Sequence, residues 1–226
     1  MMIMLGLLIT GRSFSQADKY YTARMNMVET QIIDRGISDS KTIESLRKVP
    51  RHCFVPQEYE KDAYGDYPLP IGYGQTISQP YIVAFMTEVV KPDSKSKALE
   101  IGTGSGYQAA VLAEIVDTVF TIEIIGELAR SSGALFKKLG YKNIVGKPGD
   151  GYNGWIEHAP FDIIIVTAAI DKIPEPLTDQ LAENGRLVIP VGSQYGPQAL
   201  KLLVKKNGKI KTTTLLPVRF VPFKRL

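Results

Sequence analysis

An apolar run at residues 97–101 leads directly into three glycines at alternate positions, Gly102, Gly104 and Gly106, and then into a helix-like segment opening at Tyr107. Few arrangements satisfy that order. A buried strand, a turn where backbone approaches a ligand that any Cβ would hold off, and a helix with unsatisfied first N–H groups together predict a nucleotide-type cofactor site. The spacing is not that of the dinucleotide fingerprint G-x-G-x-x-G, because Tyr107 stands where a third glycine would allow close helix packing. A second strand, residues 119–123, ends in Glu123, 21 residues after Gly102, where a carboxylate can accept hydrogen bonds from ribose hydroxyls. The competing reading of Glu123 is a solvated acid opening the next helix. A ligand with adenosine but no pyrophosphate fits the altered turn, and S-adenosylmethionine is the commonest such cofactor.

Bulk properties narrow the class further. At 226 residues, with 44% hydrophobic and 22% charged residues, the chain is sized for one sizeable core and is neither disordered nor a membrane bundle. A net charge of +4 with scattered lysines, Lys137-Lys138 and Lys205-Lys206 among them, gives no nucleic-acid footprint, so neither nucleic acid nor membrane is expected as a partner. Cys53 is the single cysteine, and only His52 and His158 accompany it, so no disulfide and no metal site is expected. Residues 1–9 are almost wholly apolar, and a small-residue stretch follows at Ser13 to Ala17, the pattern of an exported leader. Against export, the first basic residue, Arg12, comes after the apolar run. Residues 1–17 are therefore set aside as a leader and 18–226 as one domain, cytoplasmic, with export to the periplasm as the alternative.

Residues 19–35 carry apolar residues at helical spacing, stopped by Gly36, and a second helix over 39–48 ends at Pro50. The stretch 64–79 is rich in Gly, Pro and Tyr and has no periodicity, the mark of a functional irregular segment. Ser78 before Gln79-Pro80 and the apolar series Ile82, Phe85, Met86, Val89 predicts a helix capped by Ser78, and residues up to about 92 form an N-terminal helical cap. Beyond it, strands at 144–145, 161–166 and 186–191 alternate with helices at 128–139 and 176–181, an α/β sheet with helices on both faces. Residues 200–204 and 210–216, joined through Asn207-Gly208, predict a C-terminal antiparallel hairpin, with an apolar tail packing back. His52 in a proline-flanked turn, His158 in a loop, and Asp162 at a strand start read as structural. Tyr152 and Trp155 either border the ligand or pack.

Five further segments carry a resemblance: Pro50-Arg51-His52-Cys53-Phe54-Val55-Pro56; Pro68-Leu69-Pro70-Ile71-Gly72-Tyr73-Gly74-Gln75-Thr76-Ile77-Ser78-Gln79-Pro80; Gly149-Asp150-Gly151; Gly185-Arg186-Leu187-Val188-Ile189-Pro190-Val191-Gly192; and Arg219-Phe220-Val221-Pro222. With the glycine turn, they closely resemble protein-L-isoaspartate (D-aspartate) O-methyltransferases over roughly residues 25–223. The resemblance implies a Rossmann-like class I methyltransferase fold with S-adenosylmethionine over the strand C-termini. It implies donor contacts from Ile71, Gly72, Tyr73, Gly74 and Gln75 on a closing loop, from Gly102, Gly104 and Gly106 with Glu100 and Thr103, from Glu123 at the ribose, and from Asp150 and Gly151 at the adenine. Ser78 matches the family's active-site serine, and Thr76, Val218, Phe220 and Val221 fall to the substrate. Ile125-Gly126 departs from the family, which usually has a polar residue followed by proline or lysine there.

The implied reaction agrees with what the chain lacks. A carboxylate with a pKa near ~4 is ionised at neutral pH, so its methylation needs no general base and no Ser-His-Asp arrangement. Ser78 then orients a substrate carboxylate instead of acting as a nucleophile, a role compatible with helix capping. The expected protein is a monomer that methylates the free carboxylate of isoaspartyl residues in damaged proteins and peptides. The alternatives are a methyltransferase of the same fold acting on a small molecule or RNA, and a binding module that holds an adenosine ligand without turnover.

Overall fold

A computed structural model describes residues 19–225, so the expected leader and its cleavage site lie outside the described residues. The strand residues predicted to be buried build one seven-stranded sheet: β3 (Lys97–Ile101), β4 (Thr118–Glu123), β5 (Ile144–Pro148), β6 (Phe161–Val166), β7 (Leu181–Gly192), β8 (Gln198–Lys206) and β9 (Lys209–Val218). Their spatial order is β5-β4-β3-β6-β7-β8-β9. Pairs from β5 through β7 are parallel, and β7-β8 and β8-β9 are antiparallel. The expected class, an α/β methyltransferase sheet ending in an antiparallel hairpin, is the one observed. β7 starts earlier than residue 186 because Leu181 already pairs with Phe161 before a register shift.

Alternation along the strands divides the core in two. Ala98, Val119, Ile163, Ile165 and Val188 face one buried cluster, whereas Leu99, Phe120, Ile122, Ile164 and Leu187 face the other. Both faces are dry, which is why these strands read as continuous apolar runs in the sequence. α4 (Tyr107–Ala113) and the N-terminal elements cover the first face, and α6 (Glu175–Asp179) packs on the second. α5 (Gly126–Leu139) sends Phe136 into the first cluster.

Three local expectations are corrected. The helix expected over 19–35 is α1 (Tyr21–Met27) running into a π-helical stretch Val28–Ile33, with Asp34 N donating to Glu29 O at 3.0 Å. The wider i→i+5 turn leaves the apolar spacing nearly unchanged, so periodicity alone does not reveal it. Within the segment expected to be irregular, β1 (Leu69–Gly72) and β2 (Gln75–Ile77) form a short hairpin. Its strands are too short for a period-2 signal, and its turn sets Gly72, Tyr73 and Gly74 at φ of 86°, 53° and 70°. Finally, Ser78 does not cap α3 (Pro80–Val89). Gln79 holds the cap position without a side-chain hydrogen bond, Pro80 starts the helix, and α2 (Ser40–Lys48), by contrast, is capped by Asp39.

Gly106, at the N-cap of α4, has φ 90°, and a Cβ there would lie 2.6 Å from ring carbons of Phe136 on α5. It therefore supplies the close helix approach that Tyr107 cannot. Gly106→Ala is expected to lower stability by about 1–2 kcal/mol for the left-handed backbone, with overpacking adding ~1–3 kcal/mol. Urea unfolding measures this, and a parent-like midpoint would mean that Phe136 yields without cost.

Candidate active site

Above the C-terminal ends of β3, β4 and β6 lies a cleft of about 760 Å³. It sits beside the switch point where β3 has β4 on one side and β6 on the other, the place where open α/β sheets bind ligands. Its floor is the glycine turn, from Glu100 to Ser105, and its walls include Gln75 to Ser78 from the hairpin, Ile122 to Ile124, Thr167, and the tail at Val221 to Lys224. Thr167 Oγ1 donates to the carbonyls of Ile101 and Gly102 at 3.0 and 2.7 Å, and a Cβ on Gly102 would lie 2.4 Å from that hydroxyl. Gly102 is thus required by the protein's own packing. Gly104, 3.4 Å from Ile71 Cδ1 by the same construction, leaves the cleft open.

Two acids meet this turn and differ in character. Glu123, at the end of β4, accepts from Gly104 N through Oε2 at 2.7 Å and from Ile125 N through Oε1 at 2.8 Å. It ties the glycine turn to the entry of α5 while its edge lines the cleft. Glu100, at 0% exposure, accepts from the Thr121 hydroxyl, which in turn receives the Thr103 hydroxyl at 2.6 Å. The Ala109 main chain adds a hydrogen bond to the carboxyl, and the residue lines the cleft. A buried carboxyl at the floor of the cleft fits a cationic group on a ligand.

Ser78 lies where this cleft meets a second, larger groove of about 1530 Å³. Thr76, Ser78, Thr167, Val221 and Pro222 line both cavities, and Gln79, Tyr195, Val218, Arg219 and Phe220 line the groove alone. The cleft and the groove adjoin, with the Ser78 hydroxyl at their junction.

Comparison with known proteins gives the same answer. A family model described as protein-L-isoaspartate (D-aspartate) O-methyltransferase matches residues 23–225. The protein-L-isoaspartate O-methyltransferase of Opitutus terrae is 54% identical over 220 residues, covering 97% of this chain and 94% of that protein. The chain belongs to this family. A solved protein-L-isoaspartate O-methyltransferase structure is similar with a TM-score of 0.81 at 30% identity, over 88% of this chain and 65% of that one. A proposed member from Plasmodium falciparum, solved in complex with S-adenosyl-L-homocysteine, is similar with a TM-score of 0.79 at 29% identity, over 90% and 99% of the two chains.

Against the donor site expected of an isoaspartate methyltransferase, Gln75, Glu100, Gly102, Thr103, Gly104, Glu123 and Gly151 line the cleft. Ile71, Gly72, Tyr73 and Gly74, in the hairpin, are outside the lining, with Ile71 Cδ1 3.4 Å from where a Cβ on Gly104 would lie. Gly106 is outside the lining and packs on Phe136. Asp150 is also outside it: Oδ1 accepts from Tyr152 N at 2.9 Å and Oδ2 from Arg225 Nε at 2.7 Å. Of the residues expected to receive substrate, Thr76, Ser78 and Val221 sit at the junction, and Val218 and Phe220 in the groove. His52 bonds Tyr64 through Nδ1 at 2.8 Å and His158 stacks on Phe120, both away from the cleft. Sequence reasoning did not single out Thr167 or Tyr195. Thr167 directly follows the buried strand run 161–166, and that position at a strand C-terminus was the available signal. The expectation of Trp155 as either ligand border or packing resolves to an edge-on contact with Phe120.

Burial pushes the Glu100 carboxyl up to about 8, with the nearby Glu123 charge acting in the same direction and the Thr121 hydroxyl opposing it. In the unfolded chain the same group ionises near 4.5. Folding therefore takes up a proton between these values. The stability contribution is complete below the lower value and is lost as pH rises toward the upper one. Without donor, the Tm of the parent is expected to fall relative to Glu100→Gln as pH rises from about 5 to about 8. A constant gap between the two across that range would mean that Glu100 is ionised throughout.

Proposed function

We propose that the chain transfers a methyl group from S-adenosylmethionine to the free carboxylate of L-isoaspartyl, and of D-aspartyl, residues in damaged proteins and peptides. The observation that supports this reading is the placement of Ser78 at the junction of the cleft over the glycine turn and the groove beside it. When bound, S-adenosylmethionine supplies a methyl group on a sulfonium centre. Glu100 would face its ammonium, Glu123 its ribose, and the turn at Gly102 and Gly104 its methionine moiety. Ser78 donates a hydrogen bond to the acceptor carboxylate and fixes the direction in which its oxygen points. That carboxylate is already ionised near neutral pH, so the chain needs to orient and desolvate it, not deprotonate it. The hairpin and the tail at Val221 to Lys224 wall the meeting point, so a bound peptide would complete the exclusion of water there. In the product, the next backbone amide nitrogen attacks the ester carbonyl, methanol leaves, and a succinimide forms.

Residues 18–226 are read as one methyltransferase domain acting as a cytoplasmic monomer, with damaged polypeptide as the partner and neither nucleic acid nor membrane involved. The cytosolic origin of the donor supports that compartment. No helix among the described residues is long and apolar enough to cross a membrane. Paired peptides that differ only in one isoaspartyl or aspartyl linkage test the reaction. Donor-dependent labelling of the isoaspartyl peptide alone is expected, and equal labelling of both, or of neither, would favour a small-molecule or RNA substrate or a binding role.

A further inference from the structure

Among the described residues, Arg51 is the largest side chain that is fully buried and no carboxylate of those residues forms an ion pair with it. Its Nε donates to Ala63 O at 2.7 Å and its Nη2 donates to Ser78 O at 2.7 Å. The guanidinium centre also lies 4.8 Å from the ring centroid of Tyr107, itself buried at the head of α4 and part of the donor cleft. Three separate segments thus meet at one planar fork: the turn before the hairpin, the loop that bears Ser78, and the helix that follows the glycine turn. A cation buried without a counterion is costly, and a packed apolar residue of similar volume would fill the space at lower cost. What an apolar residue could not do is hold two carbonyls in a fixed relation, which the rigid guanidinium geometry does. Burial lowers its pKa to about 10, with the Tyr107 and Tyr64 rings opposing, so the group remains charged at neutral pH.

We propose that Arg51 is a positioning residue for methyl transfer, holding the Ser78 main chain from behind and setting the acceptor side of the site in register with the donor cleft. The proposal rests on the reading of Ser78 as the residue that orients the acceptor carboxylate. Ser78 cannot obtain this register from a capping bond, since its side chain caps no helix. The geometry also accounts for a buried cation behind a site that receives an anion.

Arg51→Lys keeps the charge but, as a point donor, cannot bridge both carbonyls in the same geometry. It is compared with Ser78→Ala and with the double variant, measuring kcat/KM for an isoaspartyl peptide and the affinity for S-adenosylhomocysteine. Arg51→Lys is expected to lower kcat/KM by about tenfold or more with donor-product affinity within about threefold of the parent. Because Arg51 acts through Ser78, the double variant is expected to fall within about twofold of Ser78→Ala alone. A parent-like rate, a parallel loss of S-adenosylhomocysteine affinity, or a double variant showing the product of the two single losses would overturn the proposal. Arg51→Met is assayed alongside with saturating donor, which supports a weakened fold by mass action. Failure of both Arg51 variants to fold even then would assign Arg51 a purely structural role. Ser78→Ala at the parent rate would instead locate the failure in the reading of Ser78.

Discussion

Ser78→Ala is expected to lower kcat/KM for an isoaspartyl peptide on the order of 10²-fold, the size of effect associated with one misplaced or missing orienting group. Folding should be almost untouched. Gln79 occupies the cap of α3, so the ~0.5–2 kcal/mol that a lost serine cap would cost does not apply, and the Ser78 carbonyl that Arg51 grips is a main-chain atom retained in alanine. Affinity for S-adenosylhomocysteine should also change little, because the donor cleft is built chiefly from β3, β4 and the glycine turn. Steady-state kinetics and calorimetric titration on the same preparation separate the two. Parent-like turnover with a normal Tm would remove Ser78 from the reaction.

Glu123→Ala is expected to act on the other half of the site. It removes the carboxylate proposed to accept from ribose hydroxyls and at the same time strands the Gly104 and Ile125 N–H groups, both of which end on this carboxylate. Donor-product affinity should weaken by about 1.5–3 kcal/mol, roughly 10- to 150-fold. Stability should fall too, by ~1–3 kcal/mol for each backbone donor left without water. For peptide, KM measured at saturating donor should stay close to the parent value. Titration with S-adenosylhomocysteine reads the first effect, and unchanged affinity would reduce Glu123 to a brace for the loop.

These two residues also show how far the sequence could be read. The position of Glu123 at the cleft was legible because a strand end, a glycine turn and an acid at fixed separation leave few folds open, and the same logic placed the parallel strands whose apolar runs are buried on both faces. What it did not reveal is that Glu123 already has two backbone partners, a fact of loop geometry with no sequence signal. The neighbours of Ser78 singled it out in the sequence and the structure sets it where the two cavities meet, whereas its expected capping role failed because Pro80 needs no N–H partner and shifts the cap to Gln79. The hairpin at β1 and β2 was missed since three- and four-residue strands show no period. Gly106 was expected to face the donor, but at φ 90° against Phe136 it serves helix packing, a contact between residues thirty apart that no local pattern encodes. Thr167, Tyr195 and Arg51 become functional candidates only when separate segments are brought together around Ser78.

The most direct measurement of the central claim is tandem mass spectrometry of an isoaspartyl peptide after incubation with the chain and S-adenosylmethionine. One methyl group is predicted on the free carboxylate of the isoaspartyl residue, held as a base-labile ester that gives way to succinimide on standing. A methyl group found on any other atom, or an equal yield of ester from the aspartyl twin, would contradict it.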